Sequence, residues 1–298
     1  MPALHIHQIL NHYTSPGALD PGFAVLDNSA NLRPDWYEYW PIRNFLISQP
    51  LEEAAFYGFL SPKFMHKTNL SAARAREFIL AAPQGAPAAD VVLFSPSIHN
   101  SAWFLNVFEH GEAEHPGLLD VAERLFARIG QPPIAGSVSD SRNTVYSNYF
   151  VAKPRFWRAW LAITERMFEI AESPGDELGR ALSTPTPYRG RLEVHMKIFV
   201  MERIATWILM TDPSFVAHVR DPFVARARIY KLPVALVCDA LKIAYATQGR
   251  GQYKDVFLMV RNLRKLLNLQ LRVGARLGGG RVRPTLRALE SYWRGSGS

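Results

Sequence analysis

The sequence predicts an α/β fold with a mainly parallel sheet flanked by helices, followed by a helical C-terminal part. Residues 54–60 and 91–94 are short apolar segments with the length of strands, residues 4–10 alternate well enough for a first strand, and helical patterns lie between the strands. Two of these strands end in Ser-Pro, at Ser61-Pro62 and Ser95-Pro96. Alternation of strands and helices is typical of a parallel, layered sheet. We therefore expect the loops after these strands to meet at one sheet edge, where open α/β sheets bind ligands.

Composition favours one large domain, or one and a half. The chain has 298 residues, and 48% of them are hydrophobic, which is enough to form a full core. It contains no uninterrupted apolar run of transmembrane length, and its first residues lack the pattern of a secretory signal. The single cysteine, Cys238, excludes an internal disulfide, and its apolar, helical surroundings predict a buried packing role. These features predict a cytoplasmic protein.

Positive charge is concentrated near the C-terminus. From Arg220 onwards the sequence has 16 basic and 4 acidic residues, a net charge of +12, so the first 219 residues carry −4. Between residues 256 and 272, apolar residues alternate at helical spacing with Arg261, Arg264, Lys265 and Arg272. This pattern suits an interfacial helix on an anionic membrane, and equally a helix that packs on the core with a solvated basic side. No nucleic-acid-binding motif accompanies it, so a nucleic-acid partner is not expected.

Along the N-terminal half, residues 4–10 predict the first strand, and residues 11–31, rich in Pro, Gly, Asp and Asn, predict a loop. The segment PDWYEYWPIRNFL, residues 34–46, predicts an aromatic helix despite its internal proline. A helix across residues 72–81 leads towards the strand at 91–94, and a further helix is predicted for residues 118–129 from its apolar face.

The stretch after the strand at 91–94 is the densest in polar and ionisable side chains. Aromatic residues are interleaved with His99, Asn100, Asn106, Glu109, His110, Glu112, Glu114 and His115. This mixture favours a binding site over a loop that is polar only for solubility. Glu112, Glu114 and His115 are of types that bind divalent metals, although their spacing matches no standard ligand motif.

A second informative stretch runs from residue 137 to residue 172. Residues 144–152 predict a strand that contains Asn148, preceded by Asp140 and Arg142, and Pro154 opens a long amphipathic helix. Residues 193–209 then predict a largely apolar helix interrupted by Glu202-Arg203. A carboxylate in such surroundings is costly to bury unless it is paired or used.

Four segments between residues 37 and 209 carry a resemblance to a known family. They are YEYWPIRNFL, FYGFLSPKF, SNYFVAKPRFWRAWL and FVMERIATWIL. They resemble segments of bacterial glycosyltransferases of capsular and O-antigen polysaccharide biosynthesis, which have the GT-A type of nucleotide-sugar fold. The resemblance implies a GT-A-like, Rossmann-type domain over residues 1–215, with residues 216–294 as a basic helical region. Residues 295–298, GSGS, have the composition of an artificial linker. Where the family commonly has a metal-binding Asp-x-Asp, this chain has Ser95-Pro96-Ser97.

The resemblance implies sugar transfer from a nucleotide-sugar to a hydroxyl of a growing, lipid-linked cell-surface polysaccharide. A UDP-sugar is the favoured donor, with UDP-galactose or UDP-galactofuranose as examples. Such a reaction requires cations near the leaving diphosphate, a base for the acceptor hydroxyl if the configuration inverts, and hydrogen bonds to the sugar. Mn²⁺ or Mg²⁺ would be the usual metal, but the missing Asp-x-Asp leaves metal use open, and the three cationic candidates Lys63, Arg142 and Lys153 could replace it.

The candidate residues fall into three groups. Those expected to bind the donor are Lys63, Ser95, Ser97, Asn106, Arg142, Asn148 and Lys153. Those expected to act in catalysis are Glu202, His110 and Asp140, and those expected to bind the acceptor are Glu109, His115 and Arg203. Glu202 suits the role of base and equally that of a structural partner of Arg203. We expect Asn106, Glu109, His110 and His115 to line one cleft with Lys63 and Asn148.

Two other classes of function fit the sequence less well. A hydrolase is disfavoured because the sequence lacks the G-x-S-x-G, H-E-x-x-H and P-loop motifs. A non-catalytic adaptor that binds the membrane surface or a nucleotide would explain the basic C-terminal region but not the polar loops after two strands. The transferase hypothesis also predicts peripheral association with the inner membrane, through the basic helices, on its cytoplasmic side.

Overall fold

A six-stranded sheet forms the centre of the first of two structural units. The computed structural model describes residues 2–85, 87–95, 101–188, 192–221 and 232–276. The first unit comprises residues 1–98 and 104–225, and the second comprises residues 99–103 and 226–298. The strands are β1 (Leu4–Asn11), β2 (Ala24–Asn28), β3 (Phe56–Leu60), β4 (Val91–Leu93), β5 (Phe150–Ala152), β6 (Pro185–Tyr188), β7 (Leu192–His195) and β8 (Ala217–Val219).

The order of strands in the main sheet is β2-β1-β3-β5-β4-β8, and β6 pairs with β7 in a separate antiparallel hairpin. β5 runs antiparallel to both of its neighbours, β3 and β4, while the other neighbouring pairs are parallel. β3, β4 and β5 are buried along their whole length, as expected for strands covered by helices on both faces. The predicted α/β class with a mainly parallel, Rossmann-compatible sheet is therefore confirmed.

Helices pack around this sheet in the first unit. They are α1 (Tyr39–Ser48), α2 (Phe64–Thr68), α3 (Ala72–Leu80), α4 (Val107–Glu114), α5 (Leu118–Arg128), α6 (Pro154–Glu172), α7 (Glu177–Leu182), α8 (Met196–Met201) and α9 (Ile204–Thr211). The longest, α6, begins at Pro154, whose fixed φ and missing N–H suit the first turn of a helix. Its buried face carries Phe156, Trp157, Trp160 and Met167, which recur at helical spacing.

Two close contacts define the middle of the sheet. Gly58 of β3 lies opposite Val151 of β5, and a Cβ atom built on this glycine would lie 2.4 Å from Val151 Cγ1.

Gln8, buried in β1, donates from Nε2 to the carbonyl oxygens of Ser61 and Pro62, each at 3.2 Å, and accepts from Asp20 N–H at 2.8 Å. Gln8 therefore joins the loop after β1 to the loop after β3.

The structure corrects four details of the predicted elements. Residues 11–31 contain β2, which was predicted as loop. The strand predicted for residues 144–152 is shorter, because only β5 pairs with neighbours. The segment predicted as a helix at 193–209 instead contains most of β7, all of α8 and most of α9, and the two helices are separated at Glu202-Arg203. The polar stretch after β4 contains α4, so much of it is helical rather than loop. The sheet also extends past the predicted boundary at residue 215, because β8 pairs with β4.

The second unit contains two helices, α10 (Leu232–Gln248) and α11 (Gly251–Arg276), which pack on one another. Gly249, with φ of 66°, adopts the left-handed conformation that commonly ends a helix. Cys238 is buried, as predicted. Val256, Met259 and Leu263 of α11 are exposed although they are apolar. In the part of the chain that the structure describes, no helix has the length and hydrophobicity needed to cross a membrane.

Candidate functional site

A cleft of about 630 Å³ opens at the carboxyl edge of the parallel strands. Its walls include the loop after β1, from Tyr13 to Ala18, and the loop after β3, from Ser61 to Lys63. Residues 147–150 form another wall, because β5 is antiparallel and so begins at the edge where its neighbours end. β1 connects towards β2 on one side, and β3 connects towards β4 on the other. The cleft therefore lies where the chain direction across the sheet reverses, which is the usual ligand position in open α/β sheets.

Aromatic side chains also line the cleft. Trp36 and Tyr39 lie near the start of α1, and Trp157 and Trp160 lie on α6. Trp36 and Tyr39 have ring centroids 4.9 Å apart, and those of Tyr39 and Trp160 are 5.6 Å apart. The clustering predicted for residues 34–46 is therefore both core and cleft wall. An apolar wall with a few polar groups opposite it is typical of sites for small organic ligands.

Ion pairs around a buried lysine hold this aromatic wall in place. Lys197 of α8 has only 2% of its side chain exposed, and its Nζ lies 2.7 Å from Asp35 Oδ2. The same ammonium lies 4.0 Å from the centre of the Trp36 ring. Trp36 Nε1 donates to Glu172 Oε1 at 2.9 Å, and Arg33 bonds both Asp35 and Glu172. Residues 33–36 are thereby tied to α6 and α8.

Two carboxylates, Glu38 and Glu202, line the cleft. Glu38 directly precedes α1 and accepts from Asn11 Nδ2 at 3.5 Å. Burial raises the pKa of Glu38; hydrogen bonding by Asn148 opposes this, and the negative charge of Glu202 adds to it, giving about 7. Glu202 lies between α8 and α9, and its Oε1 accepts from Ser147 Oγ at 2.9 Å. A carboxyl group that titrates near neutrality in a cleft is a candidate for acid–base chemistry.

Two lysines supply positive charge to the same cleft. Lys63 belongs to the loop after β3, and Lys67 lies on α2 with its Nζ 5.2 Å from the centre of the Tyr149 ring. Asn148 completes this part of the wall: its Nδ2 donates to Phe59 O, and its Oδ1 is buried without a hydrogen-bond partner among the described residues. Two ammonium groups with an amide acceptor nearby form an arrangement that can bind a phosphorylated, hydroxyl-rich ligand.

Backbone strain coincides with this site. In the described part of the chain, four residues other than glycine have positive φ: Asn31, Asn69, Tyr37 and Ser147. Asparagine tolerates this conformation, whereas it is uncommon for tyrosine and serine. Tyr37, with φ of 47°, immediately precedes Glu38, and Ser147, with φ of 52°, immediately precedes Asn148. Strain of this kind accumulates where function requires a side chain in a fixed position.

Three of the residues predicted from sequence therefore meet in the cleft: Lys63, Asn148 and Glu202. The expected wall formed by Asn106, Glu109, His110 and His115 is not part of it. Ser97, His99 and Asn100, which belong to the same polar stretch of the sequence, lie outside the described residues.

The side chains of α4 are engaged in local structure instead. Asn106 caps the helix, because its Oδ1 accepts from the N–H groups of Phe108 and Glu109. Glu109 accepts in turn from Leu105 N–H at 3.0 Å, and Glu112 accepts from Gly117 N–H and Leu119 N–H at the start of α5. These three polar residues thus satisfy helix ends, which explains their density in the sequence.

The two histidines near α4 are packed against aromatic rings. His110 stacks on Phe104, and its Nδ1 lies 2.8 Å from the hydroxyl of Tyr146. His115 is buried and stacks on Phe199 with ring centroids 3.6 Å apart. Neither histidine lines the cleft.

The remaining predicted residues also lie outside the cleft. Asp140 is buried and accepts from Arg142 at 3.0 and 2.8 Å, so these two candidates bind each other. Arg203 is buried and donates to the carbonyl oxygens of Val107 and Phe199, rather than pairing with the carboxylate of Glu202. Ser95 donates to Thr144 O, and Lys153 lies over the Phe56 ring.

The cleft does not fit a Mn²⁺ or Mg²⁺ site. Such ions take several oxygen ligands, usually including carboxylates, whereas this cleft is lined by Lys63 and Lys67 as well as by its two carboxylates. Across the described ranges, no group of three His, Cys, Asp or Glu residues is arranged to hold a metal ion. Glu112, Glu114 and His115 accordingly do not form a metal site with one another.

Sequence reasoning missed Glu38 and Lys67. Glu38 is the single acidic residue of the aromatic segment YEYW. The helix expected there was interpreted as part of the core, so Glu38 was not selected as a site residue. The signal that could have found it is an acidic residue at the start of a helix, beside the predicted sheet edge. Lys67 follows the loop after β3 by only a few residues, so its proximity to Lys63 was available from spacing.

Comparisons with known proteins found no relative of this chain. No protein-family model, no curated protein and no solved structure matches the chain. The function of the cleft is therefore inferred from its own side chains, from the fold that positions them and from the resemblance carried by the quoted segments.

Proposed function

We propose that this protein is a glycosyltransferase that moves a sugar from a nucleotide-sugar to a hydroxyl of a growing, lipid-linked cell-surface polysaccharide. The observation that carries the proposal is the meeting of two lysines, two carboxylates and an asparagine in one cleft at the carboxyl edge of the sheet. The favoured donor is a UDP-sugar, with UDP-galactose and UDP-galactofuranose as the first to test. The mainly parallel sheet is compatible with the GT-A type of fold that the sequence segments suggest.

Each part of the reaction has a group in the cleft. Lys63 and Lys67 would neutralise the negative charge that develops on the leaving diphosphate, a role in which fixed cations are effective in a site shielded from water. The polar loop after β1 would hold the nucleoside, and Asn148 would bind sugar hydroxyls. A volume of about 630 Å³ is within the range of sites for ligands of this size. A carboxylate at the cleft would accept the proton of the attacking hydroxyl.

Paired carboxylates are also the machinery of glycoside hydrolases, so hydrolysis is a second candidate. The two lysines distinguish the candidates, because hydrolysis of a neutral glycoside has no use for cations beside the scissile bond, whereas departure of a diphosphate does. A nucleotide-binding adaptor would use the same lysines without turnover. Binding and turnover must therefore be measured separately.

The test is a thermal-shift screen of UDP- and GDP-sugars, followed by turnover assays on any donor that binds. A true donor at 100 times its Kd stabilises the native state by about 2.7 kcal/mol. We expect Lys63→Met and Lys67→Met each to weaken donor binding about tenfold or more, as loss of a charge-assisted contact does. Lys254→Met, a lysine of α11 outside the cleft, serves as the matched control. Absence of stabilisation and turnover with every nucleotide-sugar would refute the proposal.

We also propose that α11 attaches the protein to the cytoplasmic surface of the inner membrane, where a lipid-linked acceptor would be presented. This helix has six basic residues and one acidic residue, a net charge of +5. Its exposed apolar side chains, Val256, Met259 and Leu263, follow the spacing of one helix face. Apolar side chains beside positive charge suit shallow insertion into anionic lipid.

Vesicle co-sedimentation tests this attachment. Binding to anionic vesicles should weaken with salt, since each basic residue contributes on the order of 1 kcal/mol through screened attraction. Binding should fall strongly when Gln replaces Arg261, Arg264, Lys265 and Arg272. The control carries the same change of charge on the first unit, with Gln at Arg74, Arg76, Arg124 and Arg128. Equal loss in both variants, or no binding at low salt, would refute attachment through α11.

A further inference from the structure

We infer that Glu38 is the group that takes the proton from the acceptor hydroxyl, and that Glu202 serves as the second carboxylate of a pair facing the same cleft. This inference rests on the proposed transferase function and adds to it a catalytic base and a stereochemical outcome. Sequence reasoning had offered Glu202 as the base and equally as a structural partner of Arg203. The structure adds a second carboxylate whose position and surroundings suit the role better.

Glu38 is fixed from the edge of the sheet. The last residues of β1 and β2, Asn11 and Asn28, are register partners, and Asn28 Nδ2 donates to Asn11 Oδ1 at 3.1 Å. Asn11 Nδ2 lies 3.5 Å from Glu38 Oε1 and 3.0 Å from the Tyr13 hydroxyl. The strained conformation of Tyr37 turns the chain immediately before Glu38. The carboxylate is thereby held at the cleft while remaining partly accessible from it.

Charged and titratable groups face Glu38 from several elements. They are Glu202 from the turn between α8 and α9, Lys67 from α2 and Tyr13 from the loop after β1. Burial and Glu202 favour the protonated form of Glu38, while Asn148, Asn11 and Lys67 favour the ionised form, which together place its pKa at about 7. A base is most effective when its pKa lies near the working pH, because it is then both ionised and basic.

Asn148 suits a neighbour that gains and loses a proton. Its side chain is within hydrogen-bonding reach of Glu38, and an amide offers a donor to a carboxylate and an acceptor to a carboxyl group. The acceptor, Oδ1, is buried and has no partner within the described ranges. Each carboxylate accepts one hydrogen bond at Oε1, Glu38 from Asn11 Nδ2 and Glu202 from Ser147 Oγ. The Asn148 amide beside Glu38 gives that carboxylate a neighbour that accommodates both protonation states.

The step balances as a single displacement. The acceptor O–H bond breaks, its proton goes to Glu38, and the acceptor oxygen forms a bond to the anomeric carbon of the donor. The bond from that carbon to the diphosphate oxygen breaks, and its electron pair leaves with the diphosphate, where Lys63 and Lys67 offset the added charge. Because the acceptor attacks directly, the anomeric configuration inverts.

The first experiment measures kcat/KM against pH for the wild type, Glu38→Gln and Glu202→Gln, with Glu77→Gln on the exposed side of α3 as the control. We expect Glu38→Gln to lose 10² to 10⁴-fold in turnover, as loss of a general base does, while donor binding persists. In Glu202→Gln, the acidic limb of the profile should move to lower pH, because a like charge near Glu38 is removed. The reverse assignment, with the limb kept in Glu38→Gln and lost in Glu202→Gln, would overturn the inference.

The second experiment needs no substrate. Infrared difference titration of the protein should show a carboxyl group that titrates within about one pH unit of 7, is absent in Glu38→Gln and moves to lower pH in Glu202→Gln. Transfer activity without such a group would refute the carboxylate pair and leave the transferase function standing. A titrating group in a protein that turns over no nucleotide-sugar would refute the function, and the role of base with it. A product with retained anomeric configuration would also overturn the inference.

Discussion

The ion pair between Asp35 and Lys197 allows a quantitative test of what holds the aromatic wall. The pair is 2.7 Å long, and Lys197 is almost fully buried. Burial alone would raise the pKa of Asp35, but hydrogen bonds from Arg33 and Lys197 outweigh it and lower the pKa from 3.8 to about 2. At about 1.36 kcal/mol per pKa unit, that difference corresponds to roughly 2.4 kcal/mol, which partial exposure of Asp35 reduces to roughly 2 kcal/mol.

We therefore expect Asp35→Asn to lower the free energy of unfolding by about 2 kcal/mol at pH 7. The sign of the pH dependence follows from the depressed pKa: the stabilisation is fully present above about pH 4, where the unfolded carboxyl ionises, and is lost as the pH falls towards 2. The stability difference between wild type and variant should thus stay constant from pH 7 to about pH 5 and narrow below about pH 4.

Urea unfolding followed by tryptophan fluorescence measures this difference at each pH. Glu77→Gln is the control, because its partner Arg74 lies beside it on an exposed helix face, where such pairs contribute little. A loss under about 0.5 kcal/mol at pH 7, or a loss that does not change with pH, would show that the charge of Asp35 does not stabilise this wall.

Three further predictions concern the sheet, a buried hydroxyl and the cleft. Gly58→Ala should cost about 1–3 kcal/mol in urea unfolding, because the new Cβ would lie 2.4 Å from Val151 Cγ1, and adding Val151→Ala should recover part of that loss. Thr206→Val should cost about 2 kcal/mol, because the Thr206 hydroxyl bonds both the N–H and the C=O of Val145, which would be left unpaired; a loss no larger than that of a surface substitution would contradict this. Glu38→Gln should raise stability by about 2 kcal/mol near pH 8 and not near pH 4, because a raised carboxyl pKa costs stability as the pH rises from 4.5 through about 7. Equal stability of that variant and the wild type at both pH values would argue against the raised pKa.

Elements that carry a strong apolar pattern could be predicted from the sequence. β3 and β4 correspond to short apolar runs that end in turn residues, β1 corresponds to a segment of alternating apolar and polar residues, and α5 and α6 show a clear helical period. β2 escaped prediction because it lies at the sheet edge and only one of its five residues is buried, so it has no apolar run. An apolar run cannot by itself distinguish strand from helix, which is why β7 was assigned to a helix.

The candidate site was predictable where a residue lies in a loop at the sheet edge, as Lys63 and Asn148 do. Prediction failed where polar side chains serve helix ends. Asn106 and Glu112 cap α4 and α5, and cap residues are of the same types as catalytic and metal-binding residues. Spacing along the chain does not separate these uses, because the distinction depends on which backbone groups lack partners after folding.

The ion pair between Lys197 and Asp35 also links the chain segment that carries Glu38 to the segment that carries Glu202. Lys197 lies five residues before Glu202, and Asp35 lies three residues before Glu38. The pair therefore forms a short cross-link between the segments that carry the two carboxylates, segments far apart in the sequence. We expect that loosening this link would let the carboxylates separate and weaken their mutual repulsion, so that the pKa of Glu38 depends on a contact between residues that do not line the cleft.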